Sequence, residues 1–569
     1  MQFRPALFFP EQFQLTFKAA LLVLSTLPTL AQADGAGAYL AARHGEIEND
    51  FAKAAEFANT ALIGNPDDLP LMESAVMAQI SLGQIDRALA VARLLVSRDA
   101  GNQIANLAIA TSLVRNQNYT QLYELTKNGA AIGPLVDGLL AGWAQFGAGR
   151  MTEALSLFDA VAAEPGLSSF GLYHKALALM LAGDFEAADA ILSQQGTRLP
   201  ATRRGVMAQA QVLSQLERNE EAIALIDGVF GRELDPGLAL MRAQLAAGDT
   251  LQVTAVRSAR DGMAEVFFSV ARALELEADA NYTLLYARVS QALRPDLVEA
   301  TLLAAALLDQ LEQFDLATAA YDSIPESDPA FQAAELGRAS TLRRAGKQDT
   351  AIEVLTRLSE SHPDFSAVHI ALGDIMRGEE DYPAAIAAYT RSVDLIGTPA
   401  AGDWATYFAR GIAYERNGDW PDAEADFRLA LTLQPDQPRV LNYLGYSYVE
   451  KQQNLDEALA MIVRAVEQRP GDGFITDSLG WVLYRLGRYE EAVLQMERAV
   501  ELMPVDPILN DHLGDVYWAV GREREARFQW RRAMSFDPEE VDATRIRRKL
   551  DIGLDAVLAA EGAAPLDGN

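Results

Sequence analysis

Four successive segments in the C-terminal third of the chain repeat at a period of 34 residues, and no other feature limits the fold as tightly. Gly411, Tyr414, Gly418, Ala423, Phe427, Ala430 and Pro435 form one set. Leu444, Gly445, Tyr448, Ala458, Ile462, Ala465 and Pro470 form the next, lengthened by one residue at Gln452-Gln453. Leu479, Gly480, Leu483, Gly487, Ala492, Met496, Ala499 and Pro504 follow, then Leu513, Gly514, Tyr517, Gly521, Ala526, Trp530, Ala533 and Pro538. Weaker copies run upstream: Ala317, Ala351 and Ala385 keep the spacing, as do Pro295, Pro329 and Pro363, and Ala154, Ala188 and Ala222. Gly83 with Ala88, and Ala54 with Ala61 and Pro66, mark units near the start. The register is poor over 102–133 and 236–266, the latter about a third of a repeat short.

Each recurring position has a packing role. Small Gly or Ala in a first helix lets a second helix approach closely, and large Tyr, Phe or Trp fills the wedge. The Gly between them ends the first helix in a left-handed cap, and the closing Pro stops the second. Apolar residues recur at helical spacing, and no alternating run signals a strand. Period and pattern resemble the tetratricopeptide-repeat family. The resemblance implies an all-α fold, a solenoid of about 15 helix–turn–helix pairs wound as a right-handed superhelix in which each repeat touches its neighbours. Residues 34–266 read as divergent repeats, 267–403 as intermediate and 404–538 as strong. Residues 539–560 read as one solvating cap helix bearing Arg545, Arg547, Arg548 and Lys549, and 561–569 as a frayed tail.

The beginning of the chain reads differently. Arg4 and Lys18 precede an uncharged run, Ala19 to Leu30, and then Ala31-Gln32-Ala33. This is the layout of a secretory signal peptide over 1–33, with a mature start at Asp34 and a periplasmic location. The uncharged run is too short to span a bilayer. A formal net charge of −31 argues against a nucleic-acid partner. The absence of cysteine removes disulfides, thiolate catalysis and Cys-type metal sites. No phosphate-binding loop, HExxH or GxSxG motif occurs, so no enzyme activity, cofactor or metal is expected. His362 and His369 read as two surface histidines.

The family geometry implies that first helices line a concave groove. On that basis Tyr446, Phe474, Asp477, Trp481, Tyr484, Asp511, Asp515 and Trp518 face it, with Tyr443 and His512 at the adjoining position. Aromatics beside acids suit protein recognition; the alternative is that Trp481 and Trp518 close gaps between helices. Arg522, Arg524, Arg527, Arg531 and Arg532 make a basic patch, read either as a solvated face paired with Glu523 and Glu525 or as a dock for an acidic partner. Residues 441–462, 477–493 and 510–530 further resemble the Gram-negative envelope tetratricopeptide lipoproteins that bind a carboxyl-terminal processing protease, although this chain has no lipobox Cys. That resemblance implies a periplasmic adaptor presenting cell-wall enzymes to the protease, with outer-membrane association through a partner. The alternative is a structural factor in outer-membrane or polysaccharide assembly.

Overall fold

The computed structural model describes residues 30–194, 201–231 and 234–562. Among the described residues the chain forms 31 α-helices and no strand, with most consecutive helices packed against one another. Residues 1–29 and 563–569, which hold most of the expected leader and tail, lie outside the described residues. Helix Leu30–Ile47 opens the described chain, so cleavage before Asp34 would remove its first turn. The chain divides into two compact units, up to Val354 and from Leu355 onward.

Polar side chains start many of the helices. Asp68, Asn102, Asp184, Asp381, Asp472 and Asp506 each accept a hydrogen bond from a backbone N–H in the following first turn. The turns inside the pairs need a left-handed residue. Gly183, Gly418, Gly487 and Gly521 supply it, with φ between 73° and 91°. Where Gly is missing, Gln117, Glu217, Glu312, Glu380 and Gln452 adopt the same conformation at φ between 52° and 62°, against a cost of roughly 1–2 kcal/mol each. The repeat over 102–133, poor in sequence, is therefore an ordinary helix pair, Gln103–Arg115 and Tyr119–Thr126, turning at Gln117.

The first unit departs from a simple solenoid. After helix Pro236–Ala246 the chain runs without helix to Ser258. Its backbone groups there are taken up by side chains: Gln211 Oε1 accepts from the N–H of Thr254 and Ala255 at 3.0 Å, Ser214 accepts from Leu251, and Arg294 donates to the carbonyls of Thr254 and Ala255 at 2.7 Å. Helices Ala259–Leu274 and Ala280–Leu293 then form a pair that lies across Leu69–Ser81, Gln103–Arg115, Pro134–Gly147 and Ser168–Ala182, the first helices of four consecutive pairs. Arg288 Nε donates to Ser81 O at 2.9 Å, and Asn281 Nδ2 to Asn49 Oδ1 at 2.9 Å, 232 positions away. A Cβ on Gly262 would sit 2.3 Å from the buried Trp143 ring, so only glycine allows this approach. Eleven of the 16 residues of Ala259–Leu274 are buried, among them Met263, Val266 and Phe267.

The expectation of neighbour contacts alone is thus corrected for the first unit: its first-helix face is filled by its own chain. Hydrogen exchange should divide the stretch read as weak. Amides of 236–248 should exchange early, and those of 262–274 should be among the slowest in the unit. Uniformly fast exchange over 236–274 would mean that the pair does not occupy this face in solution.

The second unit keeps to the repeat, each helix packing chiefly on the next and next-but-one. Close approach there depends on the small residue: a Cβ on Gly514 would lie 2.4 Å from the Trp530 ring. Two expectations are corrected. The cap is two helices, Glu540–Ile552 and Leu554–Ala560, broken at Gly553 with φ +83°, and its Lys549 is wholly buried. His369 is also buried, its Nε2 lying 2.9 Å from the carbonyl oxygen of Pro363, because the helix carrying it starts just after that turn.

Candidate protein-binding surfaces

Three first helices of the second unit, Pro438–Glu450, Gly473–Arg485 and Pro507–Ala519, carry the candidate residues. Three aromatics expected to be open are closed in. Trp481 is 8% exposed and lies between Tyr484 and His512, with ring centroids at 4.9 and 4.2 Å and both rings within 15° of parallel. Its indole N–H donates to Glu450 at 2.9 Å. Trp518 packs against Trp530, lies under Gly553 and donates to Asp555 at 2.9 Å. Tyr484 is buried, and that burial holds its hydroxyl well above the ordinary range. The physical reason is stacking: each first helix covers the late positions of the one before, and the cap covers the last.

The acids are buried too. Lys549 Nζ lies 2.7–2.8 Å from all four carboxylate oxygens of Asp511 and Asp515. Trp530 Nε1 donates to Asp515 at 2.9 Å, and Arg545 reaches the same carboxylate at 3.4 Å. Burial and the charge of Asp515 raise the Asp511 carboxyl, against the opposing pull of Lys549. Asp477 is held by His512, whose Nδ1 is 3.0 Å from both carboxylate oxygens. Burial alone would lower the His512 pKa, but Asp477, with Asp511 and Asp515 beyond it, raises it.

This has a pH consequence. A raised histidine stabilises the fold fully below the unfolded value of about 6.5, and the contribution is lost as pH rises through the folded value. Unfolding midpoints measured from pH 6 to 9 should fall more steeply for the unchanged chain than for His512→Gln. Parallel slopes would contradict the assignment.

What remains accessible on these helices is a smaller set. Tyr443 is half-buried, edge-on to Phe408 at 5.7 Å and donating to Glu415 at 3.3 Å; burial, then Glu415, pushes its hydroxyl up to about 12. Tyr446 is half-buried, its hydroxyl raised by burial and by Glu450. Phe474 is 37% exposed in a shallow depression of about 480 Å³ with Arg469 and Met503. Arg439, exposed over the Phe408 ring at 5.6 Å, and Arg485 make no ion pair among the described residues. In the basic patch, Arg522 binds Glu497 and Glu525, Arg527 donates to the carbonyl of Leu550, and Arg532 to that of Pro504. Arg524 and Arg531 stay exposed with no ion pair among the described residues.

The first unit holds a feature the sequence did not indicate. A cavity of about 720 Å³ opens where Ser168–Ala182, Arg203–Gln215, Ala259–Leu274 and Val298–Gln310 meet. One wall is a chain of ion pairs. Asp235 binds Arg203, Arg203 binds Glu299 at 2.7 Å, and Arg204 binds both Glu299 and Glu265, which accepts from the Tyr173 hydroxyl at 3.0 Å. Burial opposes the charge on Arg204, but Glu265 and Glu299 raise its pKa above the ordinary value. No group of side chains suited to hold a metal occurs among the described residues, and no helix among them is long and apolar enough to cross a membrane.

A tetratricopeptide-repeat family model matches residues 336–400 and 408–473, and a second such model matches 475–503. A TPR repeat-containing protein of Pseudomonas aeruginosa is 27% identical over 180 residues, which cover 31% of this chain and 30% of that relative. Among solved structures, the APC/C hetero-tetramer Cut9–Hcn1 aligns over 91% of this chain and 96% of its own, with TM-score 0.39 and 14% identity. A tetratricopeptide repeat protein from Parabacteroides merdae aligns over 45% and 98%, with TM-score 0.37 and 16% identity. The stretch from residue 336 to residue 503 is built of tetratricopeptide repeats.

Proposed function

We propose that the chain is a non-enzymatic scaffold that binds protein partners through the first-helix face of its second unit. One observation carries this reading. The corresponding face of the first unit is filled by helices Ala259–Leu274 and Ala280–Leu293, while the second unit presents Arg439, Tyr446, Glu450 and Arg485 to solvent at least in part. Unpaired arginines beside a tyrosine are favoured anchors of protein interfaces. Tetratricopeptide repeats mediate protein–protein contacts, and the repeats matched by family models include this face.

The finer reading is a periplasmic adaptor whose partners are a carboxyl-terminal processing protease and the cell-wall enzymes it degrades. It is supported by the layout of residues 1–33 and by the likeness of 441–462, 477–493 and 510–530 to envelope adaptors. N-terminal sequencing of the exported protein should begin at Asp34; a product retaining Met1 in the cytoplasm would end the envelope reading. Capture from periplasmic extract should recover the protease and a hydrolase with the unchanged chain. Recovery should drop with Tyr446→Ala plus Arg485→Ala, by about 2 kcal/mol or more in affinity, in a variant that stays folded at the temperature of capture and loses some stability because Tyr446 packs on the core. Equal recovery by the double variant would remove this face from the binding surface.

A further inference from the structure

We propose that the cavity of the first unit is a second, separate binding site, and that it takes an uncharged apolar peptide segment. Its volume of about 720 Å³ falls within the range of pockets that bury a ligand. The chemistry of its wall selects the ligand. Among the described residues, every charged side chain that lines it already has a partner: Arg203 and Arg204 bind Glu265, Glu299 and Asp235, and Arg272 binds Glu275. A charged ligand would have to break one of these pairs or enter without a partner, and either is costly in a partly dry site.

The rest of the lining is largely apolar, with Phe170, Leu192, Phe268, Leu302 and Leu303, and Arg204 lies over the Phe268 ring at 5.9 Å. Ser169 and Ser269 also line the cavity, and their hydroxyls have no hydrogen-bond partner among the described residues. Two free hydroxyls can both donate and accept, which suits the amide groups of a main chain, and the apolar lining suits large aliphatic or aromatic side chains. A neutral apolar peptide satisfies all three conditions. The site is distinct from the face of the second unit and does not depend on it.

The test uses the full chain and an N-acetylated, C-amidated pentapeptide of alanine, leucine, phenylalanine, leucine and alanine, followed by calorimetry. A second peptide carries lysine in place of phenylalanine. Ala273 and Ala306 are exposed and line the cavity, so Ala273→Phe plus Ala306→Phe fills it without disturbing buried packing. The apolar peptide should bind the unchanged chain, and both the filled variant and the lysine peptide should show affinities roughly tenfold or more weaker. The unfolding midpoint of the filled variant should be unchanged. Ser169→Ala plus Ser269→Ala should weaken binding as well, whereas Tyr446→Ala plus Arg485→Ala should leave it intact. No binding to the unchanged chain, equal binding to the filled variant, equal binding of the lysine peptide, or a loss confined to the Tyr446 and Arg485 variant would each overturn the assignment.

Discussion

Lys549→Met should lower stability by about 3–5 kcal/mol, the cost of removing one partner from a buried ionic group. Lys549 is wholly buried and makes four contacts of 2.7–2.8 Å to Asp511 and Asp515. Without it, two buried carboxylates four residues apart face each other, with Arg545 at 3.4 Å from Asp515, the Trp530 indole N–H on Asp515 and the neighbouring His512 left to offset them. The pair should then hold a proton that the unfolded chain releases near the ordinary carboxylate range, about pH 4. A carboxyl raised in this way favours the fold below the unfolded value and loses that support as pH rises through the folded value. The variant should therefore be least stable at neutral pH and recover part of the deficit on acidification. Adding Asp511→Asn and Asp515→Asn should restore much of the loss at pH 7, since the amide oxygen of the second substitution can still accept from the Trp530 indole. Denaturant unfolding at pH 5 and pH 7 reads both effects; a loss below about 1 kcal/mol, the level of a surface pair, would show that Lys549 is solvated.

Phe267→Ala should cost about 3–5 kcal/mol, because the ring is wholly buried in the pair that lies across the first unit. Gly262→Ala should cost about 1–3 kcal/mol by overpacking against Trp143. Trp143→Phe should relieve part of the second loss, so the two changes should be less than additive although they lie far apart in the chain. The location of the damage is as informative as its size. In a solenoid of neighbour contacts, Phe267→Ala would loosen only adjacent helices. Here it should also speed exchange in Leu69–Ser81 and Gln103–Arg115, which the pair covers. Loosening confined to 236–310 would contradict the packing.

The repeat was legible because its signal is local. Gly514 against Trp530 and Gly411 against Phe427 recur at fixed spacing, and proline closes each unit. It was lost over 102–133, where the backbone kept the turn at Gln117 without the residue that announces it. The pair 259–293 was not legible, because contacts between segments so distant in the chain leave no periodic trace. Two signs were present: the missing third of a repeat before Val266, and a helix with apolar residues on most faces, Met263, Ala264, Val266, Phe267, Phe268, Val270 and Ala271. At the candidate surface, periodicity picks out the first helices but not which of their side chains stay open. Asp511 and Asp515 stand four apart on one helix face and needed a cation; Lys549 looked like a solvated charge in a basic run, and a lysine is buried only when so paired.

Crosslinking tests most directly whether the first unit fills its own groove. Tyr282, on the crossing pair, has its hydroxyl 3.4 Å from Gln103 Oε1, on a first helix 179 positions away. The chain has no cysteine, so Gln103→Cys with Tyr282→Cys introduces the only two thiols. A short bis-maleimide added to the native double variant should join them within one chain, giving a faster-migrating band on a denaturing gel and a proteolytic peptide pair linking 103 to 282. Crosslinking should vanish in denaturant. A native, folded double variant whose two thiols react singly and never with each other would show that the pair lies elsewhere, and that the first unit's groove is open.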